Sequence, residues 1–585
     1  MTNHEIARLL RNVAAAYSIK NENKFRFQII AYQKAAEAIE NLNSELEELY
    51  RKEELDTIPG VGASLKSHLE ELLKTGKVKH FDWVAKGIPK GVFPLLDVPT
   101  FGPKKAYKLV KHFKLNNEKT VIDDLEKAAK EGKIANLETF GEKSQEDILK
   151  AISEYKKGKT KTTRMVLPYA SQIADQIVKY LKDSKVIIDA QPLGSLRRMM
   201  ATVGDVDIAV ATNNPKEAIN YFINYPQTQR VIEKGPTTAS IIVSGDAQID
   251  LMTQPPESFG SLLQHFTGSK PHNIHLREYA LRLGLSLSEY GIKKGGKTNK
   301  FASEEKFYEA LGMEWIPPEI REDKGEIELA IAHKLPKLVK LEEIKGDLHI
   351  HSSYPIEPSH DLGKSSMEEM IKKAKELGYE YLGFSEHNPS VAKHTNNSIY
   401  SILEARSNKI EQLKKSIKNL RIINLLEVDI LANGHLPIDD KSLTFQDAII
   451  VGIHSSFSMD RDNMTKRVLN GLSHPKAKIF AHPTGRLLNQ RPSYELDWEK
   501  IFDFCKKKNK ALEINAWPYR LDLPDVLVKE AIKHGVKMVT ATDAHNVSQM
   551  DLMRYGITVA RRGWASKNDI LNSLEYNKFI KWLKN

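Results

Sequence analysis

The C-terminal part of the chain contains a widely spaced series of histidines and acids of the types that bind metal ions. Most of them directly follow a short apolar run, as His454 follows Ala448 to Ile453. Such runs, alternating with helical segments, are typical of a parallel barrel or sheet, where chemistry collects at the C-terminal strand ends. We therefore expect a metal centre. The residues of the series are Asp347, His349, His351, Glu386, His387, Glu427, His454, His482, Asp543 and His545.

Three aspartates further towards the N-terminus predict a second metal site. Asp205 and Asp207 alternate with Val206, so both carboxylates project from one face if this segment is a strand. Asp250 lies on another predicted strand, which can pair alongside. Three carboxylates suit Mg²⁺ or Mn²⁺, and two such ions support an in-line displacement at phosphorus.

Glycine, serine and arginine residues upstream of these aspartates could bind a nucleoside triphosphate. Gly194 and Ser195 can bind phosphate through backbone N–H and hydroxyl donors, and Arg197 or Arg198 can add positive charge. A lone Asp-Val-Asp is a weak signal. Together with Gly-Ser and a third aspartate it predicts nucleotidyl transfer.

Length and composition indicate a folded protein of several domains. The chain has 585 residues, 41% of them hydrophobic and 28% charged, and no apolar run approaches the roughly 20 residues that span a bilayer. The N-terminus shows no signal peptide, and a single cysteine, Cys505, excludes an intramolecular disulfide. We expect a cytoplasmic protein. The net charge of +11 favours a polyanionic partner only weakly, because a lysine-rich surface explains it almost as well.

The N-terminal part is predicted to be helical and to repeat a glycine turn followed by a new helix. The copies are Ile58 to Gly62, Val98 to Lys105 and, more weakly, Leu137 to Lys143. The glycines and the helix N-termini present backbone donors to phosphate without reading sequence. The repeat resembles the helix-hairpin-helix motif, which implies DNA binding. The candidate contacts are Gly60, Gly62, Gly102, Lys104 and Lys105.

Taken together, these motifs resemble a known enzyme family. Gly194 to Arg198 with Thr202 to Asp207 resembles the palm of family X DNA polymerases, and Phe266 to Ser269 with His272, Asn273 and Arg277 resembles their thumb. The C-terminal series resembles a PHP (polymerase and histidinol phosphatase) domain. The combination is similar to bacterial and archaeal family X polymerases with a fused PHP exonuclease.

The resemblance implies a multidomain fold of helical helix-hairpin-helix domains, an α+β nucleotidyltransferase palm with a thumb, and a C-terminal α/β PHP domain, a distorted βα barrel. The expected divisions are an N-terminal helical domain (1–84), a fingers-like helical domain (85–160), the palm (161–258), the thumb (259–322), a linker (323–342) and the PHP domain (343–585).

Roles in the polymerase site follow from the resemblance. Asp205, Asp207 and Asp250 would hold two Mg²⁺ or Mn²⁺ ions. The residues expected near the nucleotide and template are Gly194, Ser195, Arg198, Gly204, Phe266, Gly268, Asn273 and Arg277. The chain departs from the family at His265, where tyrosine is usual, and at Ala201, where glutamate is usual. His68 occupies the position of the lyase lysine and cannot form a Schiff base, so we expect no lyase through this site.

In the PHP site the resemblance implies two or three Mn²⁺, Zn²⁺ or Fe²⁺ ions. His349, His351, Glu427 and Asp543 would hold one ion. Glu427 would bridge to a second, held by His454 and His482. A third would take His387, His545 and either His360 or Asp361, between which the sequence does not choose. Such ions activate a water that attacks phosphorus. Arg486 fits either a phosphate contact or an ordinary surface arginine.

The expected function is a bifunctional enzyme that extends primers in short DNA gaps and trims 3′ ends. Its partners would be gapped or primer-template DNA and deoxynucleoside triphosphates, and the protein is expected to be a monomer. Three alternatives compete with it: a small-molecule phosphatase in the C-terminal part, a DNA-binding scaffold with dead sites, and a template-independent or RNA-directed nucleotidyltransferase.

Overall fold

The computed structural model separates into two units, residues 1–163 and residues 164–585. It describes residues 1, 3–40, 46–51, 55–58, 61–98, 101–137, 140–156, 164–243 and 247–585. Within these ranges, no helix has both the length and the apolar character needed to cross a membrane.

The first unit is helical throughout its described residues. Its helices pack around two apolar clusters, one of which contains Leu10 and Leu69 and the other Leu109 and Ile152. The predicted helix from Ala63 is present. The helices are Asn3–Asn21, Arg26–Glu40, Leu46–Arg51, Ala63–Thr75, Lys79–Ala85, Val92–Leu95, Pro103–Phe113, Val121–Lys130 and Glu142–Lys156.

The first strands of the second unit are β1 (Met165–Val166), β2 (Asp189–Pro192), β3 (Thr202–Val203), β4 (Val206–Ala211), β5 (Thr228–Lys234), β6 (Thr238–Val243) and β7 (Ala247–Gln254). Five of them form a sheet of order β2-β4-β7-β6-β5. The helices of this region are Leu167–Lys182, Gly194–Arg197 and Pro215–Ile223. The predicted strands at Val206, Ala239 and Gln248 are present. The apolar run Val186 to Ile188 lies just before β2, because ladder pairing with β4 starts at Asp189.

Helices and a small antiparallel sheet follow. The sheet contains β8 (Ser286–Ser288), β9 (Gly291–Lys294) and β10 (Lys297–Asn299), and the helices are Phe259–Thr267, Lys270–Arg282, Glu304–Glu309 and Glu326–Ile331. Leu276, Phe307 and Ile327 share one apolar cluster. Residues 323–342, expected as a linker, therefore contribute a helix to this packing.

The C-terminal region contains eight parallel strands in two sheets. These are β11 (Gly346–Asp347), β12 (Tyr381–Phe384), β13 (Arg421–Asn424), β14 (Glu427–Asp429), β15 (Ile449–Gly452), β16 (Ala477–Phe480), β17 (Ala511–Asn515) and β18 (Lys537–Ala541). Single bridges between His387 and Glu427 and between Ile350 and Ala544 connect the sheets at both edges. The result is a distorted βα barrel.

Helices connect successive strands of this barrel except between β13 and β14, and two helices follow β18. They are Met367–Glu376, Asn396–Ser416, Asp440–Leu443, Arg461–Ser473, Trp498–Lys508, Asp525–His534, Met553–Arg562 and Tyr576–Lys584. Because the strands are parallel, the residues that follow them meet at one end of the barrel.

Candidate active sites

The three predicted polymerase carboxylates lie together at the edge where β4 and β7 begin. Asp207 on β4 is directly opposite Asp250 on β7, and Asp205 immediately precedes β4. Burial, and then the charges of Asp205 and Asp250, raise the pKa of Asp207 to about 6. Three acids that repel one another in this way fit a divalent cation, which would remove the repulsion.

Neighbouring residues shape this carboxylate cluster. Asp250 Oδ1 accepts a hydrogen bond from Ser240 Oγ, and Gln248 Nε2 donates to both oxygens at 3.1 and 3.0 Å. Gly194 has φ +57°, and a Cβ there would lie 2.9 Å from Asp207 Oδ2. A side chain at Gly194 would therefore displace the central carboxylate. A Cβ placed on Gly204 would have the Arg164 guanidinium as its nearest neighbour, with Nη1 at 3.6 Å.

The adjacent arginines 197 and 198 have different surroundings. Arg197 donates to both carboxylate oxygens of the buried Glu304, at 2.9 and 2.7 Å, and Arg321 donates to the same group at 2.6 Å. Although burial alone would raise the pKa of Glu304, Arg321 and Arg197 lower it to about 2. We therefore expect Arg197 to have a structural role, and Arg198 remains the predicted phosphate ligand.

Replacing Arg197 with alanine is expected to destabilise the second unit by about 3 kcal/mol, because a buried carboxylate loses one of its two arginines. Urea unfolding followed by circular dichroism measures this change. Lys306→Ala, which removes an exposed ion pair with Glu309, serves as the control and should change stability by less than about 1 kcal/mol. Equal stabilities of the two variants would contradict the structural role of Arg197.

Arg198 takes part in a network that reaches the C-terminal barrel. Its Nε donates to Glu322 at 3.0 Å and its Nη1 to the Thr267 carbonyl at 2.6 Å. Arg562, at the end of the helix Met553–Arg562, donates to the same Glu322 carboxylate at 3.1 Å and to the Arg198 carbonyl at 2.7 Å. One carboxylate thus bridges a candidate triphosphate ligand and the barrel.

Most of the other predicted nucleotide contacts lie on or between the two helices that follow β7. Phe266 is 38% exposed and its ring contacts that of His265, with centroids 4.9 Å apart. Asn273 donates to the His265 carbonyl at 2.7 Å and accepts from Gln264. Gly268 has φ +71°, and a Cβ there would approach Arg198 Nη1 at 3.1 Å. Arg277 is exposed, and Ser195 is half-buried at the start of the helix Gly194–Arg197.

Two of the predicted DNA-binding glycines immediately precede helices in the first unit. Gly62 precedes Ala63–Thr75 and Gly102 precedes Pro103–Phe113, both with extended backbone and open space around a Cβ position. Gly60 lies outside the described residues. Lys104 forms an exposed ion pair with Glu22 at 2.6 Å, and Lys105 Nζ lies 5.0 Å from the Phe101 ring centroid.

His68 is part of an aromatic cluster. Tyr32 Oη lies 2.9 Å from His68 Nδ1, and the His80 ring stacks on His68 with centroids 4.5 Å apart. Burial, and then the charge of His80, lower the pKa of His68. Lys66 pairs instead with Asp56 at 3.4 Å. These contacts do not test lyase activity, so the absence of a Schiff-base lyase at this site remains a prediction.

In the barrel, Glu427 lies at the centre of the ligand set. Its Oε2 faces His349 and His387 Nδ1, both at 3.0 Å, and His351 at 3.4 Å. Its Oε1 faces His482 at 3.0 Å and His454 at 3.3 Å. Asp543 Oδ1 lies 3.2 Å from His351 and 3.5 Å from His349, and the His545 ring stacks on His351. We call this group the Glu427 cage.

The cage fits metal ions because many of its buried nitrogens and oxygens have no hydrogen-bond partners among the described residues. These buried atoms are His349 Nε2, His351 Nδ1 and Nε2, His387 Nδ1, Glu427 Oε2, His454 Nε2, His482 Nδ1 and His545 Nε2. Buried polar atoms are almost always paired, so this concentration of unpaired nitrogens and oxygens fits a site that could hold cations. Although burial alone would raise the pKa of Glu427, the histidines hold it well below its usual range.

Sequence reasoning missed two acids that orient the ligands. Glu513 on β17 lies 2.6 Å from His349 Nδ1 and accepts the His482 backbone N–H at 2.6 Å. Asp429 on β14 lies 2.7 Å from His454 Nδ1. Such contacts fix the tautomer of a metal-binding histidine. A signal existed for both, because Glu513 interrupts an apolar strand and Asp429 shares a strand face with Glu427.

Other residues of the predicted series have structural partners. Asp347 accepts hydrogen bonds from Thr542 and from the His349 backbone, and the buried Glu386 pairs with Arg406 and Ser352. Arg486 donates to the carbonyls of Arg520 and Leu521. All three are therefore engaged within the protein.

The loop after His351 places His360, and not Asp361, against the cage. His360 Nε2 lies 3.1 Å from both Asp429 oxygens, and its ring centroid is 4.5 Å from that of His454 and 5.0 Å from that of His387. Asp361 is exposed. His360, Asp429 and His454 form one of four groups whose ligand atoms lie within 4.8 Å of one another.

The two loop residues are therefore expected to differ in their effect on nuclease activity. His360→Ala should lower it by at least about 10- to 100-fold, the loss that removing an outer-shell partner of a metal ligand already causes, and raise the Mn²⁺ concentration that gives half-maximal rate. Asp361→Ala, the matched control, should change neither. The opposite ranking would assign the third ligand to Asp361.

Comparison with known proteins gives the family. Residues 1–78 match a helix-hairpin-helix domain, residues 262–322 a DNA polymerase beta thumb, and residues 347–516 a PHP domain. A probable phosphatase of Clostridium acetobutylicum is 28% identical over 34% of this chain and 78% of its own. DNA polymerase lambda of Arabidopsis thaliana is 22% identical over 54% of this chain and 62% of its own.

One relative matches over the full length. The DNA polymerase/3′-5′ exonuclease PolX of Bacillus subtilis is 35% identical over 100% of both chains. The PHP match contains Glu427 and most histidines of the Glu427 cage, and the carboxylate cluster lies between the helix-hairpin-helix and thumb matches. The chain belongs to the PolX family, the family X DNA polymerases that carry a PHP domain.

Proposed function

We propose that this protein fills short gaps in DNA during repair and removes nucleotides from 3′ ends. The observation that carries the proposal is that one chain contains both the carboxylate cluster and the Glu427 cage. The relatives named as polymerases and exonuclease support it. Mg²⁺ or Mn²⁺ would occupy the first site and two or three Mn²⁺, Zn²⁺ or Fe²⁺ ions the second. Monomeric state and cytoplasmic location remain predictions.

In the polymerase reaction, Asp205, Asp207 and Asp250 would hold ions that stabilise the attacking and leaving oxygens when bound. Gly194 and Ser195 would receive the triphosphate next to Asp207. Arg198 would exchange Glu322 for a phosphate oxygen.

In the exonuclease reaction, Glu427 and Asp543 would supply negative charge to the ions, and the cage histidines would supply neutral nitrogens. His360, His387 and His545 would form the third ligand set. Bound ions would provide an activated water and neutralise charge on the phosphate. Glu513 and Asp429 would hold the imidazole rings of His349 and His454 in the orientation that points the other ring nitrogen at the ions.

A 5′-labelled primer annealed in a short gap tests both activities. With Mn²⁺ and deoxynucleotides the primer should lengthen, and with Mn²⁺ alone it should shorten. A primer that never changes length in any metal would refute both activities and favour the scaffold alternative.

The likeness to a probable phosphatase supports a second candidate for the barrel, hydrolysis of small phosphate esters. Turnover of p-nitrophenyl phosphate or of mononucleotides, without shortening of DNA, would establish that alternative.

A further inference from the structure

The turn that follows β17 lies at the ligand-bearing end of the barrel. Asn515, the last residue of β17, accepts the Trp517 backbone N–H on its side chain at 2.9 Å. Asp522 donates its backbone N–H to the Asn515 carbonyl at 3.1 Å, and Arg486 donates to the Arg520 carbonyl at 2.8 Å. The backbone of residues 516–522 is thus fixed beside the cage.

Arg520 in this turn has a donor with no partner. Its side chain is 17% exposed, and its Nε lies 3.7 Å from Asp543 Oδ2. Its Nη1 is buried and makes no hydrogen bond to any described residue. Leaving a buried charged donor unsatisfied is costly, so such an atom calls for a ligand.

Asp543 is not that ligand. The contact with Asp543 joins Arg520 Nε, not the unpaired Nη1, and its 3.7 Å is too long for a hydrogen bond. Asp543 Oδ2 already accepts from Asn515 Nδ2 at 3.1 Å, while its Oδ1 faces His351 and His349. Arg520 therefore lies next to a predicted metal ligand but keeps a donor for a further group.

Two neighbouring arginines each already donate from two nitrogens to backbone carbonyls. Arg486 Nε and Nη2 bind carbonyls of this turn, and Arg491 Nε and Nη2 bind the Gly485 carbonyl at 3.0 and 2.7 Å. A planar guanidinium suits the oxygens of a phosphate better than an ammonium does. We propose that Arg520 binds a non-bridging oxygen of the scissile phosphate at the Glu427 cage. This inference rests on the exonuclease function proposed above and adds a substrate-binding residue to it.

The test compares wild type, Arg520→Ala, Arg520→Lys and a control, Arg421→Ala, which removes an exposed arginine at the opposite end of the barrel, where β13 begins. At saturating Mn²⁺, Arg520→Ala should lower kcat/KM for 3′ nucleotide removal about 100-fold, with Arg520→Lys intermediate and Arg421→Ala unchanged. Primer extension by each variant verifies that the protein is folded.

A second readout separates phosphate binding from support of Asp543. Binding of dTMP, measured by calorimetry with and without Mn²⁺, should weaken at least about tenfold in Arg520→Ala, while the Mn²⁺ concentration for half-maximal nuclease rate stays the same. Unchanged dTMP binding together with a raised Mn²⁺ requirement would overturn the proposal. A wild type without nuclease activity would refute the proposed function, and dTMP binding would then still decide the role of Arg520.

Discussion

Replacing Asp207 with asparagine is expected to lower primer extension by roughly a thousandfold or more, about 4 kcal/mol in transition-state stabilisation. Asp207 is the central member of the trio, opposite Asp250 and against Gly194. Asparagine has nearly the same shape but cannot balance the charge of two divalent ions. Single-nucleotide incorporation into a gapped substrate under saturating Mn²⁺ measures the effect.

The same substitution is expected not to destabilise the metal-free protein. The pKa of Asp207 is raised in the folded state from 3.8 to about 6, so this group favours folding at low pH. That contribution is lost as the pH rises through about 6. At pH 7.5 asparagine removes this electrostatic cost. The control is Asp189→Asn, because Asp189 lies on β2 and pairs with Lys182. This variant should retain extension. Extension by Asp207→Asn close to wild type would refute the assignment.

Replacing Glu427 with glutamine is expected to abolish nuclease activity, with a loss of at least about a thousandfold, and to leave primer extension intact. Both oxygens of Glu427 face histidines, so its removal affects two of the predicted ion positions together. Shortening of a 5′-labelled single strand without deoxynucleotides provides the rate. Bound metal, measured by atomic absorption after desalting, should fall in parallel.

Glu404→Gln on the exposed face of the helix Asn396–Ser416 controls for the loss of one carboxylate from the barrel. It should retain nuclease activity and metal. If Glu427→Gln degraded DNA at the wild-type rate, the nuclease site would lie elsewhere in the chain.

Much of this arrangement could be predicted from sequence because the signals are local. Most barrel ligands follow an apolar run, and the runs before His387, Glu427, His454, His482 and Asp543 became β12, β13, β15, β16 and β18. The alternation of Asp205 with Asp207 likewise predicted their common face, and the pairing of β4 with β7 brought Asp250 alongside.

What the sequence could not decide depends on contacts between distant residues. Arg197 and Arg198 are adjacent and chemically identical, and only the folded structure shows that Arg197 pairs with the buried Glu304 whereas Arg198 pairs with Glu322. His360 and Asp361 are distinguished by the path of one loop. No sequence pattern identified Arg520 as a candidate. Its unpaired donor is visible only in the folded structure, where Asp543 already accepts from Asn515 and the turn of Arg520 is held by Arg486.

Separating the polymerase part from the barrel would alter the nucleotide site. A fragment ending before residue 347 keeps Arg198 and Glu322 but lacks Arg562, which donates to Glu322 and to the Arg198 carbonyl. Glu322 would then attract Arg198 without competition and hold it more tightly away from an incoming phosphate. Nucleotide affinities measured on such a fragment would understate those of the intact protein. We therefore expect the nucleotide affinity of this protein to be represented correctly only by the full-length chain.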